Sequence, residues 1–204
     1  MSRPSAVYLT IGLLTALPVR LLFRIRASGV ENIPAGGCVL AANHVSNLDP
    51  WPLGLPLFPR RWLRFMAKSE LFWPVLGSIL AGAGAFKVRR GEADTDAIDR
   101  AVELCREGEI VVMFPEGTRR AKGLRKKWTA RPHTGAARIA LLAEVPLIPA
   151  AIGGTDRLGR LGPVRVVYGP PVAVDDLRDV EIREAAQVAT DRLMAEIGRL
   201  EATL

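Results

Sequence analysis

Thr95–Phe114, "TDAIDRAVELCREGEIVVMF", holds a helix, its stop and a strand. Ile98, Val102 and Cys105 recur at spacings of four and three, so they share one face of a helix over 95–107. Gly108 can adopt the left-handed backbone that closes such a helix, and so predicts its C-cap. The apolar run Glu109–Phe114 then predicts a strand, halted by Pro115. The same alternation extends in both directions. Short apolar runs at 38–42, 63–67, 85–88, 146–152 and 164–169 predict further strands, most of them bounded by Gly or Pro. Helical patterns lie between them. Thr134–Ala143 is Ala-rich, and Ile182, Ala186, Ala189, Leu193, Ile197 and Leu200 mark a core-facing stripe on a last helix. Strands alternating with helices predict an α/β domain with a mixed, largely parallel sheet flanked by helices. In such a fold, chemistry sits where strands give way to loops.

With 204 residues, 49% apolar and 24% charged, the chain is large enough for one well-buried core and too apolar for disorder. No repeat, low-complexity run or linker divides residues 28–204. Cys38 and Cys105 lack metal-ligand spacing and read as reduced, buried thiols of a cytoplasmic protein. The net charge of +7 points to an anionic partner. Arg119–Arg131, "RRAKGLRKKWTAR", carries seven basic residues and no acidic one, which alone matches that excess. Smaller basic groups are Arg60, Arg61, Arg64 and Lys68, and Lys87, Arg89 and Arg90.

Ala6–Val19 is fourteen residues without a charge, followed by Arg20, Arg24 and Arg26. A bilayer span needs about 20 apolar residues. The run therefore predicts an interfacial, monotopic anchor over 1–27 with its arginines at lipid headgroups. The charges follow the apolar run, and no small-x-small site succeeds it, which argues against a signal peptide. Leu71–Phe86 is also uncharged, but Pro74 and its glycines oppose a spanning helix. It predicts a helix lining an apolar pocket or lying on a membrane.

Four short blocks carry candidate chemistry. In "NHVSNLDP", Asn43–Pro50, His44 follows a predicted strand and Asp49 stands five residues on. On one continuous helix the two would point about 140° apart. They meet only across a turn, and Ser46-Asn47 is turn chemistry. Asp49 before Pro50 predicts an extended backbone and a helix N-cap. A carboxylate on one imidazole nitrogen leaves the other free to take a proton. No serine or cysteine stands ready as a nucleophile, so a substrate hydroxyl fills that role. "FPEGTRR", Phe114–Arg120, ends the strongest strand. There Gly117 allows close backbone approach, Arg119 offers a fork for phosphate, and Glu116 can orient the arginine or accept from a hydroxyl. "GAFKVRRG", Gly84–Gly91, ends another strand on adjacent arginines. In "VPLIPAAI", Val145–Ile152, Pro149 predicts an edge strand or a bulge. His133 reads as a packing histidine, and Trp51, Trp62, Trp73 and Trp128 as core or membrane-interface aromatics.

In this order and spacing, the four blocks resemble those of the glycerolipid acyltransferase family, the lysophosphatidic acid and glycerol-3-phosphate acyltransferases. The resemblance covers about residues 28–170, implies that family's fold for an acyltransferase domain over 28–204, and departs most at the second block. Family members often carry an acidic residue before the arginine, where Val88 and Arg89 stand here. It implies acyl transfer from acyl-CoA or acyl-carrier protein to the hydroxyl of a lysophospholipid, most like 1-acyl-glycerol-3-phosphate, giving phosphatidic acid. It makes His44 the general base and Asp49 its orienter. Arg89 or Arg90, with Glu116, Gly117, Thr118 and Arg119, would hold the phosphate and glycerol. Neither metal nor cofactor is implied, and the expected location is the cytoplasmic face of the cell membrane. Glycerol-3-phosphate, another lysophospholipid or a lyso-aminolipid are alternative acceptors. A basic membrane-surface or nucleic-acid-binding module would use Arg119–Arg131, but it leaves the ordered blocks unexplained, and no nucleic-acid motif is present.

Overall fold

The computed structural model describes residues 4–88, 95–117 and 132–204. In chain order the elements are α1 (Ala6–Leu22), β1 (Arg26–Ser28), β2 (Cys38–Ala42), α2 (Pro50–Gly54), β3 (Leu63–Lys68), α3 (Pro74–Gly82) and β4 (Ala85–Val88). There follow α4 (Thr95–Arg106), β5 (Ile110–Met113), α5 (Gly135–Ala143), β6 (Leu147–Gly153), β7 (Arg165–Tyr168) and α6 (Ile182–Glu201). The opening stretch folds as its pattern predicts. Gly108 has φ 89°, and it and Glu109 return N–H groups to the carbonyls of Cys105 and Leu104. The chain therefore leaves α4 and enters β5 within four residues.

The strands form one sheet, in the order β1-β7-β6-β2-β5-β3-β4. All neighbours are parallel except β6 and β7, so β7 and β1 run against the other five. The fold is mixed and largely parallel, as expected. β2 lies central and all five of its residues are buried. Val39 and Ala41 face α4, α5 and α6 within one core cluster, while Cys38, Leu40 and Ala42 join Leu53 and Leu57 in the other. At about 1.5–3 kcal/mol for each fully buried Leu, Ile or Val, this two-faced burial is what holds β2 at the centre of the sheet.

Two elements differ from expectation. β1 was not foreseen, because Arg26, Ala27 and Ser28 are exposed and carry no apolar signal; its place comes from pairing with β7. Pro149 sits in an internal strand, not at an edge or a bulge. It is tolerated because it falls where the β6–β7 ladder has run out. Ala150 is the last residue in register with β7, opposite Tyr168. At Pro149 the carbonyl still accepts from Gly169 N at 2.8 Å, so one ladder bond is lost and no more.

α1 is docked rather than free. Gly12 rests against the Phe58 ring, Tyr8 Oη donates to the Arg61 carbonyl at 3.0 Å, and Arg20 donates to the Leu55 carbonyl at 2.9 Å. Ser5 caps its first turn and also reaches the Gly82 carbonyl of α3. Its far side exposes Leu13, Leu14, Leu17 and Leu21. Among the described residues, no helix is long and apolar enough to cross a membrane.

Candidate active site

Because β2, β5, β6, β3 and β4 are parallel, their C-terminal ends share one edge of the sheet; the first three sequence blocks run out at that edge, and the fourth is β6 itself. β6, β2 and β5 are adjacent, which brings the first, third and fourth blocks together. β4 lies two strands beyond β5, roughly 10 Å along the sheet. Of the predicted substrate contacts, Arg89, Arg90, Thr118 and Arg119 lie outside the described residues, as does the basic stretch Arg119–Arg131 with Trp128.

His44 and Asp49 meet across the predicted turn. Imidazole Nδ1 lies 2.7 Å from Asp49 Oδ2. The His44 side chain is 14% exposed and that of Asp49 fully buried. The Asp49 N–H returns to the Ser46 carbonyl at 3.2 Å, which closes the turn. One local expectation fails here. Asp49 has helical dihedrals, φ −54° and ψ −38°, and its side chain does not cap α2. The carboxylate turns back instead. Oδ2 accepts from Val45 N and Ser46 N at 2.8 Å each, and Oδ1 accepts from Thr155 Oγ1 at 2.6 Å. Those contacts outweigh a cap whose worth is about 1 kcal/mol. With Nδ1–H on the carboxylate, Nε2 keeps its lone pair for a proton.

The imidazole is stacked on Phe114, with centroids 4.1 Å apart and planes 18° from parallel, so the third block's first residue fixes the histidine's second face. After it the chain turns through Pro115 and Glu116 to Gly117, whose φ is 67°. A Cβ there would also lie 2.4 Å from the His133 ring. The backbone N–H of His133 donates to the Pro115 carbonyl at 2.8 Å. His133 is thus tied to the third block through its backbone, with its exposed ring beside Gly117.

Asn43 is buried and completes the ladder that β2 has just left. Its amide donates to the Ile152 carbonyl at 2.9 Å and accepts from Ile152 N at 2.8 Å. The same amide donates to Glu201 at the end of α6, at 2.8 Å. Neither this clamp, nor Phe114 as the stacking partner, nor Thr155 was singled out from sequence. The available signals were an amide at a strand end and a hydroxyl after the Gly153-Gly154 pair.

Beside the dyad opens a pocket of about 360 Å³. Tyr8, Ile11, Gly12 and Thr15 of α1, Leu80 and Ala83 in and just after α3, and Phe65 line it, with Asn47, Leu48 and Pro50 from the His44–Asp49 region. The Leu71–Phe86 stretch therefore does line an apolar pocket. The thiols behave otherwise. Cys38 and Cys105 are both reduced and buried, and burial pushes each pKa up to about 12, so neither serves as a nucleophile. Arg61 spends its guanidinium on the carbonyls of Pro34, Ala35 and Gly36, and Arg64 pairs with Glu109 at 3.4 Å and covers Trp62. These two arginines are internal scaffolding, while Arg60 and Lys68 of the same group are exposed. Among the described residues, no cluster of His, Cys, Asp and Glu is disposed to hold a metal ion.

Comparison with known proteins bears on the same residues. Residues 24–153 match the Acyltransferase family. A 1-acyl-sn-glycerol-3-phosphate acyltransferase of Bacillus subtilis is 33% identical over 195 residues, 91% of this chain and 94% of its own. A lyso-ornithine lipid O-acyltransferase of Pseudomonas aeruginosa is 38% identical over 107 residues, 52% of this chain and 39% of that protein. The crystal structure of the 1-acyl-sn-glycerophosphate acyltransferase PlsC from Thermotoga maritima superposes with a TM-score of 0.55 at 24% identity. That match covers 91% of this chain and 82% of the other, and it establishes the shared fold. A sheet edge that gathers a His-Asp pair and an F-P-E-G turn beside an apolar pocket, in a chain matched from 24 to 153, belongs to the acyltransferase family, and the protein is an enzyme that transfers an acyl group.

Proposed function

We propose that the enzyme moves a fatty acyl group from an acyl thioester, acyl-CoA or acyl-carrier protein, to the free hydroxyl of 1-acyl-glycerol-3-phosphate, giving phosphatidic acid. The observation that carries this reading is the buried His44–Asp49 contact of 2.7 Å beside an apolar pocket that the neighbouring Asn47, Leu48 and Pro50 help line, with both cysteine thiols buried in the core. His44 Nε2 takes the proton of the acceptor hydroxyl as its oxygen attacks the thioester carbonyl. The tetrahedral intermediate then expels the thiolate, which takes that proton from the imidazolium and leaves as the thiol. Asp49 holds the imidazole in the required tautomer and stabilises its charged form. Arg89 or Arg90, with Glu116, Gly117, Thr118 and Arg119, binds the phosphate and glycerol, and the pocket beside Asn47–Pro50 receives an acyl chain.

The enzyme works at the cytoplasmic face of the membrane. Leu13, Leu14, Leu17 and Leu21 of α1 and Trp73, Val75 and Ile79 at α3 form its apolar contact, and Arg119–Arg131 docks anionic lipid or acyl-carrier protein. A second acceptor reading, a lyso-aminolipid, has specific support in the Pseudomonas relative.

Purified protein given a panel of lysolipid acceptors and both donor types, with products identified by mass, tests the assignment. Lysophosphatidic acid should be acylated fastest. A preference for lyso-ornithine lipid would replace the first reading with the second. His44→Ala should abolish turnover while the circular dichroism spectrum is unchanged; an active, folded variant would end the general-base assignment.

A further inference from the structure

We propose that Thr155, which lies outside all four blocks, is a positioning residue that sets the plane of the Asp49 carboxylate and through it the aim of His44. The proposal rests on the dyad reading above. Asp49 Oδ2 is held by three donors, and all three belong to its own turn: His44 Nδ1, Val45 N and Ser46 N. Three bonds converging on one oxygen fix where that oxygen sits. They do not fix rotation about it, because a carboxylate torsion is broad and nearly two-fold in its preference. The second oxygen, Oδ1, has Thr155 Oγ1 at 2.6 Å, reached from 106 residues along the chain. That single bond converts a hinged carboxylate into a fixed plane. Once the plane is set, the lone-pair direction facing Nδ1 is set, and with it the direction in which Nε2 presents its own lone pair.

The chain is built to deliver this hydroxyl. β6 ends at Gly153, and Gly154 turns with φ 91°; a Cβ there would lie 2.3 Å from the Pro163 carbonyl oxygen. Only glycine lets the chain turn this tightly and bring Thr155 back over Asp49. Thr155 itself is 3% exposed, so water does not substitute for it. Three residues earlier, the Ile152 peptide is paired in both directions with the Asn43 side chain. The end of β6 therefore grips the catalytic turn at both ends, through Ile152 before His44 and through Thr155 at Asp49.

The test uses the full-length purified enzyme in detergent micelles with Thr155→Val, Thr155→Ser and, separately, His44→Ala. Valine keeps the shape and removes the hydroxyl; serine keeps the hydroxyl. Thr155→Val should lower kcat about 10- to 100-fold, the scale of a misaimed catalytic group, with KM for the acceptor little changed. Thr155→Ser should recover most of that loss. In one-dimensional proton NMR, the far-downfield resonance of the His44 Nδ1–H held on Asp49 should persist in the serine variant and move or vanish in the valine variant. Should Thr155→Val not fold, Thr155→Ala carries the same comparison against serine. A folded valine or alanine variant with wild-type kcat and an unmoved resonance overturns the positioning role, while an inactive His44→Ala keeps the dyad. An active His44→Ala overturns the dyad and this inference with it.

Discussion

At the scale of single residues, the site is held by side chains that replace backbone. Asn43 is the clearest case, since its amide takes both hydrogen bonds of the Ile152 peptide after β2 has ended. Asn43→Ala should cost about 1–3 kcal/mol for each peptide group left unpaired, measurable as a lower urea midpoint. Asn43→Asp would instead set a carboxylate against Glu201 and should lose more. Gly117→Ala places a Cβ on a left-handed residue at a cost of about 1–2 kcal/mol. The exposed His133 ring can swing aside, so backbone strain outweighs the steric contact. We expect the turn after Phe114 to relax and turnover to fall, visible as a loss in kcat/KM. His44 with Asp49 was legible in sequence because turn residues stand between them. Thr155 was not, because a contact spanning 106 residues leaves no local pattern. The helical backbone of Asp49 was hidden for a related reason: the preference of a residue before proline is local, and four convergent donors override it.

At the scale of elements, apolar runs ending in Gly or Pro located β2 to β7 to within a residue or two, and helical spacing located α4 and α6. The missed strand, β1, shows the limit of that signal. A three-residue exposed edge strand is defined by its partner and not by its own side chains. α1 is more than the apolar run suggested. One side walls the pocket through Tyr8, Ile11, Gly12 and Thr15, and the other offers leucines to the outside. The two sides give opposite predictions. Leu13, Leu14, Leu17 and Leu21 changed together to Gln should weaken binding to anionic vesicles, with turnover in detergent micelles near wild type. Gly12→Leu should leave vesicle binding intact and lower activity, because even a Cβ at that position falls 2.2 Å from the Phe58 ring. Sedimentation with vesicles and a micellar assay separate the two.

For the molecule as a whole, the central strand and the helix opposite it carry groups that must stay neutral. Burial raises the Cys38 and Cys105 thiols from 9.0 to about 12 and raises the Tyr168 hydroxyl as well. In the unfolded chain these groups ionise near their ordinary values, so the unfolded state releases protons that the folded state retains. The stability they contribute is fully present below about pH 9 and drains away as pH rises towards 12. For each thiol the loss is about 1.4 kcal/mol per pH unit. The urea midpoint should therefore fall steadily on the alkaline side, and Cys38→Ala with Cys105→Ala should flatten that fall. The direction reversal between β6 and β7 has a consequence of its own. β1 shares that reversed direction, so its first residue, Arg26, paired with Arg165 opposite Gly153, lies on the edge where β2, β5 and β6 end. α1 immediately precedes β1, so a helix resting in a leaflet would hand its end to the catalytic rim and hold that rim level with the headgroups. An amphiphile could then be taken up and returned by sideways diffusion in two dimensions, without crossing water in either direction.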